Sequence, residues 1–337
     1  MKAEKFTLVR HFDGYPKTTD FKLESEELPP LKDGEVLCEA EFLSVDPYMR
    51  PYTMSMTPPF TMIGGQVAKV VESRNAKYPA GSYVIGQLGW RSRIVVLPAT
   101  PGPDKSSAAG LELLPDMGGL PHSYALGVCG MPGVSAYFGF LELCQPKEGE
   151  TVVVTGAAGA VGSLVGQIAK IKGCRVIGFA GTDDKCAWLR ELGYDVAINY
   201  KTCPDIDAAL KEAAPKGVDC YFDNVGGMLS HRVRQQMNLF GRVSCCGAIS
   251  SYNAKTGEGA TVPVPEPAIV FKQLKIEGFI VRRWWHRKDE AISQMAAWVR
   301  EGKIKVQEHV TEGFHKMPQA FIGMLKGDNT GKAIVKA

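Results

Sequence analysis

The sequence predicts an α/β protein: a doubly wound parallel sheet joined to a second, β-rich domain. Three observations predict it. A chain of 337 residues exceeds one comfortable core, which makes two domains the expectation. From about residue 121 short apolar runs alternate with helical patterns, the rhythm of stacked βαβ units. Residues 1 to about 120 instead carry strand-like runs, EVLCEAEFLSV, GQVAKVVES and GSYVIGQLG, broken by Pro/Gly/Asp clusters at Leu28–Pro30, Lys32–Gly34 and Tyr78–Gly81, as in a partly open barrel.

The elements of the second domain follow in order. TVVVTG reads as a short buried strand and AAGAVGSLVGQIAKIKG as a helix that starts on small residues. CRVIGFAG is a second strand, and DDKCAWLRELG a helix that Gly193 ends as its C′ residue. DVAINY is a strand, DIDAALKEAA a helix and VDCYFDNVGG a strand with a turn. LSHRVRQQMNLFG reads as a helix with a terminal glycine, followed by the strand RVSCCGAIS. NAKTGEGATVPVPEPA, residues 253–268, is a Pro/Gly-rich surface loop, DEAISQMAAWVREGKI a helix, and the tail from Lys316 ends on a short strand.

Composition excludes several classes. The net charge of +3, from 39 basic and 36 acidic residues, is too balanced for nucleic-acid or membrane binding by bulk charge. No apolar run reaches about 18 residues, and charges interrupt the first twenty, so the expectation is a cytoplasmic protein without a membrane partner. The nine cysteines include no CxxC pair, which reads as free thiols in a reducing compartment and leaves structural zinc without a candidate. HExxH, GxSxG and the Walker A lysine motif are absent, and the six histidines share no short ligand spacing.

The stretch TGAAGAVGS, residues 155–163, stands between a strand and a helix, where a dinucleotide-binding loop belongs. Gly159 and Gly162 fill the second and third glycine places of that fingerprint; Ala157 takes the first, with Gly156 beside it for the turn. The helix N-terminus offers free N–H groups and a positive dipole end to phosphates. The end of the second strand decides the cofactor. An NAD site wants an acid there, about 20 residues on, for the ribose 2′-hydroxyl. This strand ends Gly178-Phe179-Ala180-Gly181, with Lys185 one turn later, so NADPH/NADP+ is favoured over NADH. Asp183 and Asp184 read as helix N-terminal acids.

The order of pieces, a β-rich start, a nucleotide core and a returning tail, resembles the medium-chain dehydrogenase/reductase superfamily. Zinc-dependent members carry a ligand cysteine near LSVDPYMR and a Gly-His-Glu further on; here Val45 or a neighbour stands in the first place and Gly65 and Gln66 in the second. SVDPYMRPY, TGAAGAVGS, NYK, YFDNVGG, CGAISSYN and MLKGDNTGK, spread over the whole chain, resemble its zinc-independent, enone-reducing branch, except that Thr155-Gly156 stands where the branch carries Asn-Ala and the 253–267 loop is atypical. The resemblance implies a Rossmann domain over 121–300, and a GroES-like catalytic and substrate domain over 1–120 completed by 301–337. It places Gly159, Ala160, Val161 and Gly162 at the pyrophosphate, Lys185 at the 2′-phosphate and Tyr200 near the adenosine. Asn224 lies close to the cofactor. Cys246, Gly247, Ala248, Ile249, Ser250, Ser251 and Tyr252 line the ribose and nicotinamide, Phe279, Ile280 and Val281 shape the nicotinamide edge, and Asn329 closes the site.

The activity so implied is reduction of the carbon–carbon double bond of α,β-unsaturated ketones and aldehydes, lipid enals and 15-oxo-prostaglandins among them, with the reverse oxidation of the leukotriene B4 12-hydroxyl. A donor must meet the developing enolate oxygen. Tyr252 is the first candidate and Tyr48 the other; Tyr48, Met49 and Tyr52 open a Met/aromatic-rich stretch suited to an apolar substrate pocket. The competing readings are a quinone oxidoreductase of the same superfamily and a non-catalytic, crystallin-like member. No basic stripe interleaved with aromatics points to nucleic acid. Members of the branch pair sheet edges into homodimers, and the run 271–281 is apolar enough for that edge, or for the sheet interior.

Overall fold

The structure, a computed structural model, describes residues 1–98, 110–255 and 261–337. The chain divides into two units, one of residues 1–127 with 308–337 and the other of residues 128–307. Both boundaries lie seven residues beyond those read from sequence.

In the second unit six strands form one parallel sheet: β1 (Thr151–Val154), β2 (Arg175–Ala180), β3 (Val196–Asn199), β4 (Val218–Asp223), β5 (Met237–Cys245) and β6 (Lys275–Gly278). Their order is β3-β2-β1-β4-β5-β6, the doubly wound arrangement with its switch point between β1 and β4. Helix α1 (Met131–Leu141) precedes the sheet; the crossovers run through α2 (Gly162–Ile171), α3 (Asp183–Glu191), α4 (Ile206–Ala213), α5 (Gly227–Gln235) and α6 (Glu266–Lys272), and α7 (Lys288–Arg300) follows it. The strands are apolar throughout because both faces are covered. One face packs Val153, Ile177, Phe179, Tyr221 and Val243 against Leu210 of α4 and Val233 of α5. Phe138 of α1 stacks on Trp284 at 5.7 Å, which in turn meets Phe279 at 5.2 Å. Gly193 sits at φ +92 just past α3, the left-handed stop that its sequence position implies.

Three local readings change. Met237-Asn238-Leu239-Phe240-Gly241 is not a helix tail: α5 ends at Gln235, and Met237 opens β5 opposite Val218. The register then shifts before Arg242 pairs with Cys220, and Phe240 turns out at φ +60. The 253–268 loop is shorter than read, since α6 begins at Glu266 with Pro267 in its first turn; residues 256–260 lie outside the described residues. The 271–281 run does not form one strand: Phe271 is 81% exposed on α6, and β6 is the sheet's outer strand.

The first unit is a mixed seven-stranded sheet beside a three-stranded one. The last strand, Lys332–Lys336, pairs with Val36–Ser44, so the chain's tail is a structural strand of this unit. Val36, Cys38, Ala68, Val70 and Val84 fill its core. One ion pair is sealed inside. The Lys332 ammonium, 3% exposed, reaches Asp46 Oδ1 at 2.8 Å and the carbonyls of Val45 and Ala333 at 2.9 Å each. Asp46 also accepts from Ser44 Oγ. All three ammonium donors are satisfied, which is what makes a buried lysine tolerable.

Because its partner would remain buried and uncompensated, Lys332→Met should lose about 3–5 kcal/mol of stability. The double change Lys332→Met/Asp46→Leu should recover most of it. Denaturant midpoints of the three proteins decide; a single variant as stable as the parent refutes the assignment.

Candidate functional site

At the switch point three segments emerge from adjacent strand ends and are tied to one carboxylate. Asp223 closes β4 and is 4% exposed. Its Oδ1 accepts from Thr155 Oγ1 at 3.0 Å and from the amides of Val225 and Gly226 at 2.9 Å each; its Oδ2 accepts from Ser230 Oγ at 2.5 Å. Its backbone carbonyl accepts from the amides of Cys246 and Gly247 at 2.9 and 3.2 Å. Thr155, fully buried, lies 3.2 Å from the Tyr221 hydroxyl, and its carbonyl accepts from Asn224 Nδ2 at 2.8 Å. Burial and the neighbouring Asp223 both push the Tyr221 hydroxyl well above its ordinary range, so it is a neutral donor. Asp223, Thr155 and Tyr221 were not among the residues singled out by sequence; only D-N-V-G-G, an Asx-turn signal, hinted at them.

The glycine-rich loop leaves β1 through Gly156, whose φ of +59 makes the turn, while Ala157 in the first place sits buried with its amide on Phe179 O at 3.1 Å. Among the described residues no acceptor in the chain takes up the amides of Ala160, Val161 or Gly162. These donors at the head of α2 can hold phosphate oxygens. Gly162 permits the close packing beneath: a Cβ there would meet Ala157 Cα at 2.8 Å and the Gly156 carbonyl closer still. Gly166 and Gly178 similarly leave room for the ring of Tyr194, whose hydroxyl donates to Gly162 O at 2.7 Å.

The other expected residues distribute as follows. Cys246 to Tyr252 runs out from β5 and is stitched to the turn after β4, with the Ile249 amide on Asn224 O at 3.3 Å and the Ser250 hydroxyl on Val225 O at 2.6 Å. Ser251 Oγ donates to Ala248 O at 2.8 Å. The Tyr252 hydroxyl accepts from the Ala248 amide at 3.1 Å and faces Gly247, where a Cβ would stand 3.2 Å from it. Burial pushes the Cys246 thiol up to about 12, which keeps it protonated and a poor nucleophile. Lys185 lies in the first turn of α3, its amide donating to the capping Thr182 hydroxyl at 3.3 Å. Tyr200 follows β3 and is 40% exposed, with its amide on Ala180 O at 3.1 Å. Phe279 buries its ring against Phe222, Trp284 and Gly139, so its side chain serves the core, whereas Ile280 is 59% exposed and Val281 packs with the Trp284 cluster.

In the first unit, Tyr48 donates to Gln87 Oε1 at 3.4 Å and lies 5.3 Å from the half-exposed ring of Tyr52. Burial, with Asp46 adding to it, pushes the Tyr48 hydroxyl up. Met49 is fully buried, with its methyl toward Gly64, so it packs in the core beside that aromatic pair. Asn329 donates to Gly331 O at 2.8 Å. Gln66 donates to the carbonyls of Gly89 and Arg91, and among the described residues no group of three or more His, Cys, Asp and Glu could hold a metal ion. The residues at this place do not fit a catalytic zinc.

The fold and the glycine-rich loop define a two-domain dinucleotide oxidoreductase of the medium-chain type. Residues 4–101 match the family described as N-terminal domain of oxidoreductase, and residues 160–299 the family described as zinc-binding dehydrogenase. The chain is 53% identical over 340 residues to prostaglandin reductase 1 of Rattus norvegicus, with both chains covered in full. It is 40% identical over 346 residues to the NADPH-dependent curcumin reductase of Escherichia coli, covering 99% of this chain and 97% of that one. The crystal structure of CurA from Vibrio vulnificus in complex with NADPH is 36% identical, with a TM-score of 0.89 and 99% of each chain covered. The chain belongs to the prostaglandin reductase 1 family, within the zinc-independent medium-chain dehydrogenase/reductase superfamily, and its first unit is the GroES-like domain.

Adding one methyl at Gly162 forces backbone against backbone where the loop meets α2. Gly162→Ala should weaken dinucleotide binding at least tenfold, read by quenching of protein fluorescence. Unchanged binding would remove the loop from the cofactor site.

Proposed function

We propose that this chain reduces the carbon–carbon double bond of α,β-unsaturated ketones and aldehydes with NADPH. The end-to-end likeness to prostaglandin reductase 1 carries the reading. The site chemistry supports it: free amides at the head of α2 for the pyrophosphate, and no acid at the end of β2 where an NAD enzyme would hold its ribose.

NADPH supplies a hydride to the β-carbon when bound. Gly159 to Gly162 hold its pyrophosphate, Lys185 its 2′-phosphate, and Asn224 with the 246–252 segment the ribose and nicotinamide side. Tyr252 donates a hydrogen bond to the carbonyl oxygen as negative charge gathers there, and a proton from water completes the reduction at the α-carbon. Holding that hydroxyl on the Ala248 amide fixes its oxygen before substrate arrives, so no reorganisation is needed during reaction. The Tyr48–Tyr52 aromatic pair suits apolar substrates such as lipid enals and 15-oxo-prostaglandins. With NADP+ in place of NADPH, the same cofactor-holding residues would serve a separate reaction, oxidation of an allylic alcohol such as the leukotriene B4 12-hydroxyl, in which the carbinol carbon gives up a hydride and the hydroxyl a proton to water.

The chain works as a homodimer through the outer edge of β6, beside which Val270 and Phe271 are 66% and 81% exposed. Its nine free cysteines support a cytoplasmic location, and among the described residues no helix is long and apolar enough to cross a membrane. The basic run 282–288 offers little to nucleic acid, because Arg283 pairs with Glu277 and Arg287 with Glu142 and Glu290.

NADPH consumption should be brisk with 2-nonenal or a 15-oxo-prostaglandin and slow with 1,4-quinones; consumption with quinones alone overturns the reading. Tyr252→Phe should lower turnover about 100- to 1000-fold while NADPH affinity holds. Turnover at the parental rate would take Tyr252 out of the chemistry.

A further inference from the structure

The end of β2 lacks an acid, but Lys185 is not the only cation brought to it. β3 lies beside β2 in parallel, with Asn199 opposite Ala180. The chain turns sharply as it leaves β3: the amides of Thr202 and Cys203 donate to Asn199 O at 3.3 and 2.9 Å, and the Lys201 amide donates to Asn199 Oδ1 at 3.1 Å. The turn carries Tyr200 and Lys201 back across the neighbouring strand end. A Cβ on Gly181 would stand 3.1 Å from the Tyr200 hydroxyl oxygen and 3.2 Å from Lys201 Cε. A side chain at 181 would require both neighbours to give by a few tenths of an ångström, so the glycine leaves room for the lysine stem at this strand end. Among the described residues the Lys201 ammonium forms no ion pair and no hydrogen bond within the chain. Of the two helix-head acids, Asp183 is engaged elsewhere, since Asn199 Nδ2 donates to its Oδ1 at 2.7 Å.

We propose that Lys201 is a second cation for the 2′-phosphate of NADPH and, with Lys185, sets the preference for the phosphorylated dinucleotide. The proposal rests on the reading above that this chain uses NADPH. The chemistry is that of a compact point charge on a flexible stem meeting a phosphate dianion, at the place where an NAD enzyme would set a carboxylate. An exposed cation there is screened by water, so its effect is modest and salt-dependent. It is also selective, because NADH has no group at that position to lose.

The test is the dissociation constant of the full-length chain for NADPH and NADH, by fluorescence titration at low and high salt, in the parent and in Lys201→Gln and Lys201→Arg. Lys201→Gln should weaken NADPH roughly three- to tenfold and flatten its salt dependence, while NADH binding stays as in the parent. Lys201→Arg should retain the preference. If the parent prefers NADPH and Lys201→Gln leaves the ratio unchanged, or weakens both dinucleotides alike, this proposal falls and the NADPH reading stands. If the parent binds NADH as tightly as NADPH, the NADPH reading falls and takes this proposal with it.

Discussion

The functional half of this molecule is organised around a buried carboxylate. Asp223 sits at the end of a central strand, nearly sealed from water, and spreads its charge over two hydroxyls and two backbone amides. An unpaired carboxylate there would be too costly to bury; hydrogen bonds to a charged group contribute about 1.5–3 kcal/mol each, so four of them compensate the desolvation. The donors come from the loop after β1, the turn after β4 and the start of α5, and the backbone of the same residue receives the segment leaving β5. One residue therefore fixes how the phosphate loop, the Asn224 turn and the Tyr252 segment stand relative to one another. Thr155 belongs to the same network: its hydroxyl donates to Asp223 while the following glycine takes the left-handed turn.

With those segments fixed, the electrostatics of the crevice follow from what is left facing it. In the proposed reading the backbone amides at the head of α2 take the pyrophosphate, and selection among dinucleotides falls to the far end of β2, where the residues are small. Gly178 accommodates the Tyr194 ring beneath the sheet end, and Gly181 leaves the space above it that Tyr200 and Lys201 approach. A carboxylate in either place would oppose a 2′-phosphate; here the one at Asp183 is already engaged by Asn199.

What sequence made legible, and what it did not, follows the range of the interaction. The alternation of strands and helices was readable because each element repeats a local period, and the stop of α3 at Gly193 because a left-handed residue is a local demand. The tail of α5 misled because Met237 and Phe240 keep a helical spacing, while the deciding contact is Met237 opposite Val218, nineteen residues away. The start of α6 hid inside a Pro-rich stretch whose Pro267 was a helix-start signal as much as a loop signal. The loop glycines and Lys185 were named from position alone. Asp223 and Lys201 were not: the D-N-V-G-G signal marks a turn and not a buried carboxylate, since the first is defined by donors from four segments and the second by a missing side chain just past the end of another strand. Met49 shows the converse, a residue of the right type whose neighbours turn it inward.

The fold is shared by reducers of several substrate classes, so it cannot choose the reaction; the groups around the reacting carbonyl must. Hydride delivery to a β-carbon is useful only if the charge that appears on oxygen is met at once by a donor already aimed at it. A phenol can serve, and its donor strength responds to what its own oxygen accepts. In the proposed reaction the Ala248 amide polarises the Tyr252 hydroxyl, and a chain of two hydrogen bonds is stronger than its separate members. The enal substrate is also an electrophile toward thiolates, and Cys246 stands six residues before that tyrosine. Desolvation pushes that thiol up, which favours the protonated form, the weaker nucleophile.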